Sequence, residues 1–187
     1  MAKTSFSLKS IYADYLRPVF KQDFTPDWTT KSMAVLALLT AMSIVFERFL
    51  GFNSPYFKLH LGYLPVAAAG MLYGLVPGMM VGTLADIISN LGGNFSFIWV
   101  LFATLEAGLF AIFLHPNMKN RVGQAVLAQL FVSILIYLII NTVALKVMYN
   151  IDLSLLRVIS NILTFPVRAF TLYLLLQYRP VFQKAAR

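Results

Sequence analysis

The 187-residue chain contains no cysteine. Disulfides, thiolate metal sites and cysteine nucleophiles are therefore excluded. Histidine occurs only as His60 and His115, which provides no zinc cluster and little general-base chemistry. Charge is scarce too. Asp, Glu, Lys and Arg make up 12% of the residues, against about a quarter in a soluble domain. Known chemical motifs are missing as well. No G-x-x-x-x-G-K-[ST] loop is present, and Gly92-Gly93 is followed by Asn94 rather than lysine, so the chain does not hydrolyse ATP through a P-loop. H-E-x-x-H and G-x-S-x-G are likewise absent. No enzymatic activity, metal or cofactor is expected.

What remains is strongly apolar. Hydrophobic residues make up 59% of the chain, and the mean hydropathy is +0.76. An integral membrane protein accounts for both figures, and the length allows one bundle rather than several domains. A membrane-spanning helix needs about 20 mostly apolar residues. Six runs qualify or come close: 33–50, 61–75, 78–91, 95–114, 122–149 and 153–178. The second and third are short, and Val76-Pro77-Gly78 reads as the tight turn between them. No segment alternates as a barrel strand would. The expected fold is an all-α membrane protein built as a single six-helix transmembrane bundle. Residues 33–178 form that bundle, 1–32 an interfacial N-terminal segment and 179–187 a tail.

The net charge of +8 would suggest nucleic acid in a soluble protein. Here it reads as the positive-inside bias of a membrane protein, and no nucleic-acid partner is expected. Lys3, Lys9, Arg17, Lys21, Lys31, Lys119, Arg121, Arg179, Lys184 and Arg187 fall on one side of the six-span topology. Arg48, Lys58, Lys146 and Arg157 fall on the other, beside Glu47 and Asp152. Both termini are therefore placed in the cytoplasm. Residues 1–31 contain no signal-peptide core. Leu8, Ile11, Tyr12, Tyr15 and Leu16 recur at helical spacing and predict a short amphipathic helix on the inner surface of the lipid bilayer.

Small residues recur inside the runs. Gly70, Gly74, Gly78 and Gly82 stand every four residues, and the first run carries Ala34, Ala37 and Ala41. Such spacing lets membrane helices approach closely. Asp86 and Glu106 sit deep in apolar runs, where a carboxylate is costly. They form either a proton or cation relay or structural groups matched by polar or cationic neighbours such as Arg168. Polar and aromatic residues gather in the 51–60 connection (Phe57, Lys58, His60), the 89–99 connection (Asn90, Asn94, Trp99) and the start of the last helix (Arg157, Asn161). Aromatic walls with a few placed polar groups suit a small-molecule pocket, here facing outward. Arg157 and Asn161 are four apart and share a helix face. An interfacial aromatic belt with solvated loops is the alternative.

Residues 58–74 (KLHLGYLPVAAAGMLYG, including Tyr63) and 77–86 (PGMMVGTLAD) resemble the substrate-binding S components of energy-coupling factor (ECF) vitamin transporters, particularly the folate-type group. The first run, with Glu47-Arg48-Phe49-Leu50, and residues 157–166 resemble them too. The resemblance implies a multi-pass protein of the bacterial cell membrane that captures a vitamin outside, folate first and pantothenate next. It implies docking on a transmembrane coupling subunit with two ATPase subunits, through the small-residue face Ala34, Ala37 and Ala41, and toppling of the bundle to deliver its cargo. Tyr63 joins the pocket candidates on the same ground. A solitary ion-coupled carrier using Asp86 and Glu106 is the alternative.

Overall fold

The computed structural model describes residues 28–50, 52–53, 58–59, 61–91, 96–115, 120–150 and 155–186. The expected amphipathic helix near the N-terminus lies outside them. Helix α1 (Thr30–Phe49) leads into a minimal antiparallel pair, β1 (Phe52–Asn53) and β2 (Lys58–Leu59). Helices α2 (Tyr63–Tyr73), α3 (Leu75–Asn90) and α4 (Phe97–Leu114) follow. Next comes one continuous helix: α5 (Arg121–Phe131), a π-helical stretch (Val132–Ile140) and α6 (Asn141–Tyr149). Helices α7 (Leu155–Gln177) and α8 (Arg179–Ala186) complete the chain.

Among the described residues, four helical segments are long and apolar enough to cross a bilayer: Thr30–Phe49, Phe97–Leu114, Arg121–Met148 and Val158–Gln177. The other two expected spans are shorter. At about 1.5 Å per residue, the 11 residues of α2 reach roughly half of a 30 Å hydrocarbon core.

Local chemistry sets the helix ends. Thr29 caps α1 through a reciprocal box: its hydroxyl accepts from Ser32 N at 3.2 Å, and Ser32 Oγ accepts from Thr29 N at 3.0 Å. Asn150 ends α6 in the left-handed region (φ 53°, ψ 33°). The α2–α3 turn corrects the sequence reading. It falls at Gly74 (φ 90°, ψ −163°), not at Pro77-Gly78. Glycine alone adopts that backbone cheaply, whereas Pro77 sits in the first turn of α3, where its missing N–H costs no hydrogen bond. Within the tail, Arg179–Ala186 form α8.

The two ends of the bundle are tied separately. At one end, the Arg48 guanidinium donates to Ser89 O and joins the C-termini of α1 and α3. At the other, Gln124 Nε2 donates to Phe113 O at 2.7 Å, and Arg179 donates to Leu114 O at 3.3 Å and His115 O at 2.6 Å. Those carbonyls belong to the last turn of α4 and have no partner within the helix, so α5 and α8 cap α4 together.

Between the ends, α2, α3 and α4 meet backbone to backbone. A Cβ on Gly78 would stand 2.8 Å from Gly70 Cα, one on Gly70 2.9 Å from Ala111 Cα, and one on Gly82 2.7 Å from Ala107 Cβ. Residues 65–71 of α2 are all buried in consequence. Around them lies the main apolar cluster, including Met71, Phe110, Leu114, Val132, Leu172 and Leu176. Gly108 differs, because a Cβ there meets only Met79 and Leu75 side-chain atoms at ordinary van der Waals distance, 3.5 Å and beyond.

Gly78→Ala should therefore destabilise the protein by about 1–3 kcal/mol, the usual cost of overpacking. Gly108→Ala should leave stability unchanged or slightly raised. Thermal unfolding in detergent micelles checks the contrast, and equal effects of the two changes would refute the packing account.

Candidate functional site

Arg48 and Ser89 mark the end of the bundle where the C-termini of α1 and α3 meet. The expected binding residues are only partly among those described. Phe57, His60 and Asn94 lie outside the described residues. Lys58 is in β2 and Arg157 in the first turn of α7. Asn90 closes α3 half-buried, its Nδ2 donating to Asp86 O at 2.8 Å. Trp99, also half-buried in the first turn of α4, meets Phe102 edge-on at 5.5 Å. Asn161 is half-buried near the start of α7, four residues after Arg157 on the same face.

Tyr63 starts α2 but points into the bundle, with 3% of its surface exposed. Its hydroxyl shares a hydrogen bond with Thr171 Oγ1 of α7, and its ring stacks on Phe110 at 6.0 Å. It is one edge of a buried polar cluster. The Arg168 guanidinium of α7 lies 5.6 Å from the Tyr63 ring centroid and 4.7 Å from that of Tyr137, within cation–π range of both. Tyr137 Oη donates to Glu106 Oε1 at 2.5 Å. Four segments, α2, α4, the π stretch and α7, thus converge on one buried cation and one carboxylate.

This arrangement explains how two charges persist in an apolar interior. A buried ion is tolerated when a counter-charge and hydrogen bonds replace its water. Arg168 is 4% exposed. It has the aromatic faces of Tyr63 and Tyr137, and Glu106 is close enough to interact with its charge. Arg168 was foreseeable as a cationic partner for a buried acid. Tyr137 and Thr171 were not singled out, because a lone tyrosine in the apolar run 132–140 looks like ordinary core. The one further signal, the π-helical winding around Tyr137, arises only from the fold. Such winding is rare and concentrates at functional positions. Asp86 is half-buried in α3. Among the described residues, no group of three or more His, Asp or Glu could hold a metal ion.

Helix α1 has two distinct faces. Leu36, Thr40 and Ser43 are buried, and Ser43 Oγ donates to Gly62 O at 2.8 Å. Ala34, Ala37 and Ala41 are all exposed on the opposite side.

Comparison with known proteins places this geometry. The family model for ECF-type riboflavin transporter S components matches residues 27–179. The folate transporter FolT of Clostridium novyi (strain NT) is 27% identical over 147 residues, 75% of this chain and 85% of that protein. A crystal structure of FolT bound with folic acid superposes with a TM-score of 0.74 at 26% identity, covering 83% of this chain and 96% of that one. The S component of a bacterial ECF transporter shares the fold at a TM-score of 0.60 and 22% identity, covering 82% and 98% of the two chains.

If the cluster is structural, Arg168→Met should cost about 3–5 kcal/mol, because it strands a buried carboxylate. Tyr137→Phe should cost about 1–3 kcal/mol for the lost hydrogen bond. Adding Glu106→Gln to Arg168→Met should recover part of the loss. Chemical denaturation in micelles measures all three. A relay would show the reverse: stable variants that lose only proton-coupled uptake.

Proposed function

The chain belongs to the ECF-type riboflavin transporter S component family, and from that membership we propose that it is the folate-binding member of an ATP-driven vitamin importer. It is a multi-pass integral membrane protein. The observation that supports folate is the similarity to FolT, which extends over 96% of the folic-acid-bound chain. Riboflavin is the second reading, since the family model carries that name. Pantothenate is the third, because it also presents a carboxylate.

In this reading the bundle crosses the membrane six times, with both termini and the α8 tail in the cytoplasm. Residues 33–178 form the transmembrane unit and residues 1–32 lie at the interface. The short α2 needs no full span of its own, because α1, α3, α4 and α7 surround it. The end bearing the 51–60, 91–96 and 150–154 connections faces outward and holds the pocket. Phe57 and Trp99 stack on the pterin ring. Asn90, Asn94 and Asn161 read its polar edge, and Lys58, His60 or Arg157 neutralises a carboxylate. Tyr63 closes the inner side of the pocket, held in place by Thr171 and Arg168. The β1–β2 pair stiffens the connection that folds over the ligand.

Energy comes from partners, because the chain carries no P-loop. A transmembrane coupling subunit with two ATPases docks on the exposed Ala34, Ala37 and Ala41. Small side chains here leave α1 smooth enough for a partner helix to approach closely. An internal packing role for this stripe is disfavoured by its exposure, with Leu36, Thr40 and Ser43 making the contacts inward.

Purified protein should bind folate in the nanomolar range and riboflavin far more weakly, measured by ligand-fluorescence titration. Preferential riboflavin binding would overturn the choice of vitamin. Ala37→Leu with Ala41→Leu should leave folate affinity unchanged and abolish folate uptake by the reconstituted complex. Lost affinity would instead assign the alanines to the internal fold.

A further inference from the structure

The stretch Val132–Ile140 is wound as a π-helix over nine residues, longer than the single turn in which this winding usually occurs. At its exit, Asn141 N donates to Ile136 O, five residues back, where an α-helix would use Tyr137 O. The stretch thus holds one residue more than an α-helix would between the same flanks. This winding carries a cost. Its rarity reflects its disadvantage against α winding, and two amide oxygens beside it go unpaired. Gln129 Oε1, in a side chain 1% exposed, and Asn141 Oδ1 are buried, and no donor among the described residues reaches either. An unpaired acceptor in an apolar interior is a stored cost. One set of contacts offsets it. Tyr137, in mid-stretch, donates to Glu106 of α4, and its ring centroid lies 4.7 Å from the Arg168 guanidinium of α7. On the other side Ile134, Leu135 and Ile139 are exposed, and lipid tails contact either winding equally well.

We propose that this segment is a two-state helix. Tyr137, held on Glu106, latches the π winding, and release of the latch lets the stretch rewind as α. Rewinding feeds the surplus residue into the α register. With α5 fixed, α6 then turns by about 100°, the angle of one residue. Ala144 takes the direction now held by Leu145, which is 8% exposed, and Leu145 takes that of the exposed Lys146. Packed helices favour such discrete arrangements over continuous deformation. Because α6 runs into the 150–154 connection, the turn moves that connection as well. The inference stands apart from the folate reading, since the winding is measured without vitamin.

The absence of cysteine makes the test direct. Val147 of α6 is 79% exposed, and Val45 of α1 and Leu101 of α4 are exposed too. Spin labels are attached at Val147→Cys together with Val45→Cys or Leu101→Cys, and pulsed electron spin resonance in nanodiscs reads each distance. A turn of about 100° on a helix about 10–12 Å across carries the Val147 label by roughly 8 Å. Tyr137→Phe should therefore shift at least one of the two distances by several ångströms. Deleting Ile139 from the Tyr137→Phe chain should restore both wild-type distances, because an α-wound stretch then has no surplus residue. Deleting Ile139 alone should leave both unchanged, a check that does not need Tyr137→Phe to fold. Wild-type distances in Tyr137→Phe would overturn the proposal. So would a deletion that fails to restore them in that chain, or that by itself moves the Val147 label.

Discussion

The fold depends on the close backbone contact among α2, α3 and α4. Helices in lipid gain nothing from hiding apolar side chains from water, so they associate through van der Waals packing and hydrogen bonds. Gly70, Gly78 and Gly82 remove the side chains that would hold the three backbones apart. That contact permits an 11-residue α2 to lie inside the bundle, almost wholly buried. It also turns the α2–α3 pair into a solid block on which α1 rests through Leu36, Thr40 and Ser43. With its inward face thus occupied, α1 is free to present Ala34, Ala37 and Ala41 outward.

The other half of the bundle is held by different physics. Around Arg168 the packing is polar, with a guanidinium between two tyrosine rings and a tyrosine hydroxyl passing a hydrogen bond to Glu106. Such a cluster adds little net stability over an apolar equivalent, but it is specific, because each partner must be in register for the charges to be matched. The π-helical stretch places Tyr137 in that register. The two halves meet at Tyr63 of α2, whose ring packs on Phe110 of α4 while its hydroxyl engages Thr171 of α7.

Much of the architecture was legible in the chain. The positions of α1, α4, the long α5–α6 helix and α7 followed from apolar runs of sufficient length, since little else satisfies a backbone in lipid. The resemblance over residues 58–86 anticipated the family, and the regular glycines anticipated close packing. The α2–α3 turn was misplaced by three residues. Pro-Gly is a generic turn signal, whereas the choice of Gly74 depends on which glycine must face Ala111 and which must leave the helix. The binding residues were named from the aromatic and polar composition of the three connections together with the family resemblance. Of these, only Asn90, Trp99 and Asn161 at the connections, and Tyr63 inside the bundle, have side chains among those described.

The sequence by itself determined that this is a helical membrane protein without a P-loop, because hydrophobic run length and short motifs are local properties. Its scarcity of charge, met first as an exclusion, also pointed to the few buried charges worth explaining. Only the tertiary structure decided what those charges do. Glu106 and Arg168 are 62 positions apart in the chain, and nothing in their spacing says that Tyr137 will stand between them. It also decided that the alanines of α1 face outward, since an apolar helix in lipid has no polar stripe to reveal which side is buried. Periodicity reports orientation only where water lies on one side, and here contact between helices supplied what periodicity could not.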